Sequence, residues 1–490
     1  MLNIAKGITH YAKRHPEDIA IVAGDEKQTY KAFDETTDTI ARKMIAYSGY
    51  ENLRAAILMP NSGRFLEVFI GAAKAGWTAV TLDPKWATKE LEKCLAKTPP
   101  DLLFVDPSLE HKVTSLSLDT ELIICNNMEE WLNEPFNHMP LPDLSGEEPF
   151  YIGFTSGSTG TPKGYIRSHR SWVESFTEGK KELPVKEGDR VLVSGSLVHS
   201  LFLYAALHTL DAGAACHLAE SPNPQRLAEE IQKHEITVMY GVPTMYVRMA
   251  QQNQIFESMH TLITSGAKMA SFVVKAWQKI APNANWINFY GSSEHSFIAI
   301  LHHAEKALSS AIGRPFSSVS IDIKKEEGDV GELFASSPMV FSGYDGDDQV
   351  TPDTWISTGD YVWQDHEGIL HLAGRKQNKM VTGGLNVYAE EVEDVLRTHM
   401  DVRDVVVTGI DHPEWGEQIT AVLETRKARP LTSHFIAQLI ETCKSSLAAY
   451  KCPKNWLEMD AIPLTTSGKP KRATVKAWAI KREEKSEINR

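Results

Sequence analysis

Apolar and polar positions change their period repeatedly along the chain. AAILMP, TAVTLD and DLLFVD are short strand-like runs, separated by the helical patterns FLEVFIGAAKAG and TKELEKCLAK. Alternation of this kind predicts parallel sheets flanked by helices. A second series runs from RVLVSGS through AACHLAE, ITVMYGV and TLITSG to WINFYG. From about residue 310 the pattern shortens: SVSIDIKKEEGDVGELFAS and TWISTGDYVWQDHEGILHLAG read as strands broken by turn signals, hence a β-rich subdomain. After GRKQNKM come the helix AEEVEDVLRTH, the strands DVVVTGI and QITAVLET, and the helix TSHFIAQLIETCKSSLAAY. The predicted fold class is α/β, with a large N-terminal body of α/β subdomains plus the β-rich subdomain over residues 1–376. A small α+β C-terminal domain follows over 377–490, the boundary lying at Gln377.

A Pro- and acid-rich stretch, NEPFNHMPLPDLSGEEP, reads as a loop. The longest apolar window, LVHSLFLYAALHTLDAGAACHL, is interrupted by three histidines and Asp211 before it could span a bilayer, which predicts a core helix and no integral membrane association. At the N-terminus, MLNIAKGITHYAKRHPEDIA lacks the apolar core of a secretory signal and reads as a first helix.

At 490 residues the chain exceeds what one core usually fills. Its 51 basic and 64 acidic residues give a net charge of −13, which argues against a protein that coats nucleic acid or anionic membranes. A phosphate-bearing ligand then requires a local site. Five scattered cysteines without CxxC spacing predict a reduced, cytoplasmic chain with no zinc cluster.

The stretch TSGSTGTPKGY, Thr155 to Tyr165, follows the apolar run FYIGF and is the first candidate for that site. Glycines free backbone amides to face a ligand, hydroxyls donate to phosphate oxygens, and Lys163 supplies a point charge, so the composition suits a polyphosphate. A Walker A loop is excluded, because Pro162 precedes the lysine and Gly164 follows it.

TSGSTGTPKG resembles the phosphate-loop signature of the AMP-forming adenylating superfamily, which includes acyl-CoA synthetases, peptide-synthetase adenylation domains and luciferases. Further motifs similar to that family's follow in order: YGSSE at Tyr290 to Glu294, STGD at Ser357 to Asp360, GRKQNKMVTGGLNVYAEEVE from Gly374, and TTSGKPKR around Lys469. The resemblance implies an ATP-dependent enzyme that activates a carboxylate as acyl-AMP and transfers it to a thiol. It implies that Thr155, Ser156, Gly157, Ser158, Thr159, Gly160 and Lys163 hold the ATP phosphates. Tyr290, Gly291, Ser292 and Ser293, together with Gly266, Ala267 and Lys268 of TSGAKMA, lie along the nucleotide in this reading. Glu294 is a hard carboxylate suited to Mg²⁺. Asp360 on a tight turn takes the ribose hydroxyls, and Arg375 also reaches the ribose. Lys469 is the mobile catalytic cation at the α-phosphate, and its neighbours Lys471 and Arg472 read as surface charge. In SGSLVHSLF, His199 falls where many acyl-CoA synthetases have a histidine beside the reacting carboxylate. The C-terminal domain is expected to be mobile and to pivot at Gln377, where relatives usually have Asp or Lys. The strand MVTGGLNVY would bring Gly383 and Gly384 to the pantetheine arm of coenzyme A.

No carboxylate lies between Ser194 and Tyr204 to pair with a substrate ammonium, which disfavours an α-amino acid. The apolar FLYAALHTLDAG and FIAIL suit an aliphatic acid. Coenzyme A is the favoured acceptor. A carrier-protein phosphopantetheine is the alternative, a non-catalytic nucleotide-binding relative or a luciferase-type oxygenase less favoured readings, and oligomeric state stays open.

Overall fold

The computed structural model describes all residues except 1, 51–52, 117–119, 126–127, 138, 156–161, 253, 268, 270, 303–309, 427–429, 466–468 and 489–490, and the side chains of 271–272, 326–327 and 484–488 also lie outside the description. The chain forms two compact units, one of residues 1–307, 312–321 and 335–356, the other of 308–311, 322–334 and 357–490. Gln377 lies inside the second unit.

The expected alternation of strand and helix builds the first unit. One sheet has seven strands in the order Gly343–Tyr344, Lys163–Ser168, Pro149–Thr155, Thr78–Thr81, Arg54–Leu58, Leu102–Val105 and Glu121–Ile124. Its last five strands are parallel to one another, as helical crossovers require. A second array runs Ala311–Pro315, Ser296–His302, Asn285–Ser292, Thr261–Thr264, Val238–Gly241, Arg190–Val193, Ala215–Leu218, Ile19–Ala23 and Glu26–Thr29, parallel in its centre and antiparallel at both ends.

The helix Gly63–Ala75 begins where Ser62 Oγ accepts from Phe65 N at 3.1 Å and is buried from Phe65 onward. Apolar residues on every side fit a helix enclosed by other elements. The helix Ser200–Asp211 behaves likewise, with Phe202 to Leu210 buried, so the long apolar window is a core helix as expected. Among the described residues, no helix is long and apolar enough to cross a membrane.

The second unit holds Leu370–Arg375 and most of its neighbouring strands Ser320–Glu327, Val330–Ser336 and Ile356–Gln364, then a sheet of Leu385–Tyr388, Lys379–Thr382, Gly416–Thr425 and Val402–His412, with Asn455–Glu458 also on Gly416–Thr425. The helices Ala389–Leu396 and Ser433–Ser446 bury Val392, Leu396, Phe435 and Leu439 against this sheet's core.

Candidate nucleotide site

TSGSTGTPKGY joins two paired strands, Thr155 ending the first and Lys163 opening the second. Apolar FYI buries the strand Pro149–Thr155, which pairs antiparallel with Lys163–Ser168 so that Thr155 faces Lys163 and Phe154 faces Gly164. Ser156, Gly157, Ser158, Thr159 and Gly160 lie outside the described residues, but both stems of their loop are fixed. The short strand Gly343–Tyr344 covers the other edge of the second stem. Asp345 N donates to Gly164 O at 2.8 Å, and the Asp345 carboxylate is held in turn by Arg54 at 2.8 Å and Thr98 Oγ1 at 2.7 Å. Lys163 is exposed, with Nζ 5.4 Å from the centre of the Tyr344 ring.

YGSSE is the connection between the strands Asn285–Ser292 and Ser296–His302. The pairing is irregular between Tyr290 and Gly291, and only glycine fits there, since a Cβ on Gly291 would lie 1.8 Å from Ser296 O. Ser292 Oγ accepts from Glu294 N and His295 N, each at 3.2 Å, so this hydroxyl caps the turn. Ser293 Oγ lies 3.3 Å from Ser200 Oγ. Glu294 is half-buried, and its Oε1 accepts from Tyr344 Oη at 2.8 Å. Burial and the Glu294 charge both push the Tyr344 phenol up, so it stays a donor.

Beneath this turn lies Arg167, 1% exposed, donating to Ser293 O at 2.9 Å and Met339 O at 2.6 Å. Burial lowers its pKa to about 10, which still leaves it cationic at neutral pH. His199 stands at the N-cap of Ser200–Asp211, half-buried; burial holds its imidazole below the usual range, with Asp83 opposing. Gly266 and Ala267 are exposed just after the strand Thr261–Thr264, and Ser265 Oγ ties that turn to Phe289 O at 2.8 Å. Lys268 lies outside the described residues.

In the second unit, STGD is not a tight turn. It belongs to the strand Ile356–Gln364, with Asp360 directly opposite Arg375 on Leu370–Arg375. The turn-like signal is local: Gly359 N donates to Ser357 Oγ at 3.0 Å and Asp360 N to Thr358 Oγ1 at 3.1 Å, while the backbone continues the ladder. Arg375 Nε lies 3.3 Å from Asp360 Oδ1, so the two expected ribose residues also pair with each other. Gln377 is exposed on the short turn Lys376–Asn378.

Lys469 sits in a loop closed by a bridge between Leu464 and Pro470, with Thr465 N donating to Lys469 O at 2.7 Å. Its surroundings lower the ammonium pKa first by desolvation and then through Arg375, against Asp360, although the residue retains solvent access. Three expected functional charges, Asp360, Arg375 and Lys469, therefore act on one another within this unit.

Two expectations near these residues need correction. Lys471 is exposed, but Arg472 is not surface charge: it lies 2.5 Å from Glu393 Oε2, a carboxylate 1% exposed and also reached by Arg397 at 3.2 Å and Val407 N at 2.7 Å. MVTGGLNVY is not one strand but a hairpin, Lys379–Thr382 and Leu385–Tyr388, turned by Gly383 and Gly384 with φ of +56° and +79°. Two consecutive positive φ values are what a two-residue hairpin turn of this hand demands.

Sequence reading missed Tyr344, Arg167 and the Arg472–Glu393 pair. Arg167 left a signal, a second charge four residues after Lys163 in the strand KGYIRS, next to the apolar Tyr165 and Ile166. Tyr344 left none, because its partners lie 50 and 181 residues away in the sequence (344 − 294 and 344 − 163).

A phosphate-loop hairpin with its lysine, a nearby carboxylate and a separate unit bearing Asp360, Arg375 and Lys469 define an adenylate-forming enzyme. Residues 8–345 match the family described as AMP-binding enzyme and 391–469 its C-terminal domain, and the chain belongs to this family. It is 36% identical over 475 residues to the uncharacterized acyl-CoA ligase YhfT of Bacillus subtilis, covering 95% of this chain and 96% of that one. It is 26% identical to the putative long chain fatty acid-CoA ligase VraA of Staphylococcus haemolyticus, covering 97% and 98%. Among solved structures, o-succinylbenzoate CoA synthetase from B. subtilis with its acyl-adenylate superposes with a TM-score of 0.84 at 25% identity, covering 96% and 97%. The reaction class is that of the AMP-forming acyl-CoA synthetases.

Proposed function

We propose that the chain activates an aliphatic carboxylic acid, with ATP, as an acyl-adenylate and passes the acyl group to coenzyme A. A carboxylate oxygen of the acid attacks the α-phosphorus, the bond from that phosphorus to the bridging oxygen breaks, and pyrophosphate leaves. The thiol sulfur of coenzyme A then attacks the acyl carbon and AMP departs, the thiol proton going to solvent. Activation is needed because a carboxylate is a poor electrophile.

In this reading Lys163 and residues 155–160 hold the phosphates. Lys469 offsets the charge that builds between carboxylate and α-phosphate, which suits a cation already set among Asp360 and Arg375. His199, kept neutral by burial, sits beside the acid without adding charge. Glu294 fits Mg²⁺, since its half-buried carboxylate is anchored through a neutral phenol and this ion takes one or two carboxylates plus phosphates. When bound, Mg²⁺ supplies charge neutralisation to the phosphates. Gly383 and Gly384 serve the thiol half-reaction, and residues 377–490 pivot at Gln377.

The observation favouring an aliphatic acid is the helix Ser200–Asp211 behind His199, apolar and without a carboxylate before Asp211. A panel of carboxylates scored for AMP release, with and without coenzyme A, tests the reading. Aliphatic acids should lead, coenzyme A should accelerate turnover over a phosphopantetheinyl carrier, and Lys469→Ala should abolish adenylation. Undiminished adenylation in that variant would sink the role given to Lys469.

A further inference from the structure

Two opposite charges of the phosphate site, Lys163 and Glu294, meet the same side chain. Tyr344 Oη donates to Glu294 Oε1 at 2.8 Å, and the Tyr344 ring stands 5.4 Å from Lys163 Nζ. We propose that Tyr344 is a positioning residue that stands between Lys163 and Glu294, preventing their mutual ion pair so that both remain available to nucleotide and metal. The proposal rests on the adenylating reading above.

A lysine and a glutamate that reach the same side chain attract one another, and their pairing would use up the cation meant for phosphate and the carboxylate meant for metal. A tyrosine offers each a neutral partner instead: its hydroxyl to the carboxylate and its π-face to the ammonium. Neutral contacts of this kind are readily exchanged for a phosphate oxygen or a hydrated cation, whereas a direct ion pair must first be broken.

The surrounding structure fixes Tyr344 well enough for such a role. Its strand pairs with the stem of the phosphate hairpin, Tyr344 opposite Tyr165. Asp345, next in sequence, is anchored to Gly164, Arg54 and Thr98. Phe341 N donates to Glu294 O at 2.7 Å, and the Phe341 ring meets Tyr344 edge-on at 5.1 Å. On the other side, Arg167 holds Ser293 O. The backbone of Tyr344 and the turn that bears Glu294 are therefore each set by contacts that involve neither Lys163 nor the Glu294 carboxylate.

The test uses the full chain and its Tyr344→Phe, Tyr344→Leu and Tyr344→Leu/Glu294→Gln variants. Binding of α,β-methylene-ATP without metal is read by calorimetry, and Mn²⁺ affinity of the nucleotide complex by electron paramagnetic resonance, so neither depends on turnover. Tyr344→Phe should leave metal-free nucleotide binding near wild type and weaken Mn²⁺ several-fold. Tyr344→Leu should weaken both about tenfold, and adding Glu294→Gln should restore metal-free nucleotide binding, because Lys163 then has no competing partner. Wild-type affinities in Tyr344→Leu, or a double variant no better than Tyr344→Leu, would overturn the proposal. Acid-dependent pyrophosphate exchange by the wild type is followed separately, and its absence would strike the adenylating reading instead.

Discussion

Replacing Arg472 with alanine should loosen the unit that carries Lys469, and the buried carboxylate of Glu393 sets the size of the effect. Glu393 is 1% exposed and keeps company with Arg472 at 2.5 Å, Arg397 at 3.2 Å and the Val407 amide at 2.7 Å. Breaking a buried ion pair by deleting one partner costs about 3–5 kcal/mol. Two partners survive here and Arg472 is partly solvated, so about 2 kcal/mol is the reasoned loss, or roughly a 30-fold rise in the opening equilibrium. Native-state hydrogen exchange of the strand Val402–His412, which holds Val407, reads that quantity directly. The loss should depend on pH in a defined direction. Burial raises the Glu393 pKa above its usual value, with Arg472 the largest opposing charge. A carboxyl whose folded pKa is raised favours the fold below its ordinary pKa and loses that contribution as pH climbs through the folded value. Arg472→Ala raises the folded pKa further, so its deficit should be greater at pH 8 than at pH 5, and Glu393→Gln added to it should remove the difference. Exchange rates unchanged in Arg472→Ala, or a deficit that grows on acidification, would refute the assignment of Arg472 as the counter-charge of Glu393.

Lys469 has its ammonium pKa lowered, so its charge is lost at a lower pH than an ordinary lysine's, and pyrophosphate exchange should show a correspondingly early alkaline limb. Asp360→Asn removes the charge that opposes the shift and should move that limb lower still. Gly291→Ala places a Cβ 1.8 Å from Ser296 O, which forces the turn bearing Glu294 to open; a displacement of about 1 Å implies roughly 100-fold slower adenylation, measured with saturating acid. His169 and His208 are fully buried, with pKa values lowered by burial to about 4 and about 3. Groups held neutral in this way stabilise the fold above their ordinary pKa of 6.5 and lose that contribution as pH falls, about 2 kcal/mol each by pH 5, so the first unit should melt earlier at pH 5 than at pH 7. A flat melting profile across that interval would contradict it.

Much of the fold was legible because it depends on local periodicity. The run TKELEKCLAK is a helix from Thr88 to Lys97, and TAVTLD supplies the strand Thr78–Thr81. The apolar window read as a core helix is one, because polar His208 finds Tyr240 Oη at 3.1 Å and so does not break the packing. Where the sequence misled, the reason was a local hydrogen bond or a distant partner. STGD carries turn chemistry in its hydroxyls yet lies in a strand, since Asp360 finds Arg375 across the ladder. The glycine pair read as a gap for pantetheine is also the turn of a hairpin. Arg472, in a basic tail of solvated appearance, could not announce Glu393, 79 residues earlier. Tyr344 and Glu294 are joined only by the fold.

The hairpin pairing of Thr155 with Lys163 also decides which insertions and deletions the chain can absorb. Residues gained or lost between the two strands, from 156 to 162, leave the Thr155–Lys163 rung in place. Loss of Gly164 is different: strand side chains alternate faces, so with Lys163 held on its rung the deletion would turn Tyr165 and Arg167 outward together, stripping two buried side chains from beneath the site. Length variation in descendants of this sequence should therefore collect between the two strands and spare the strands themselves, a pattern that random indel libraries selected for adenylation can reveal.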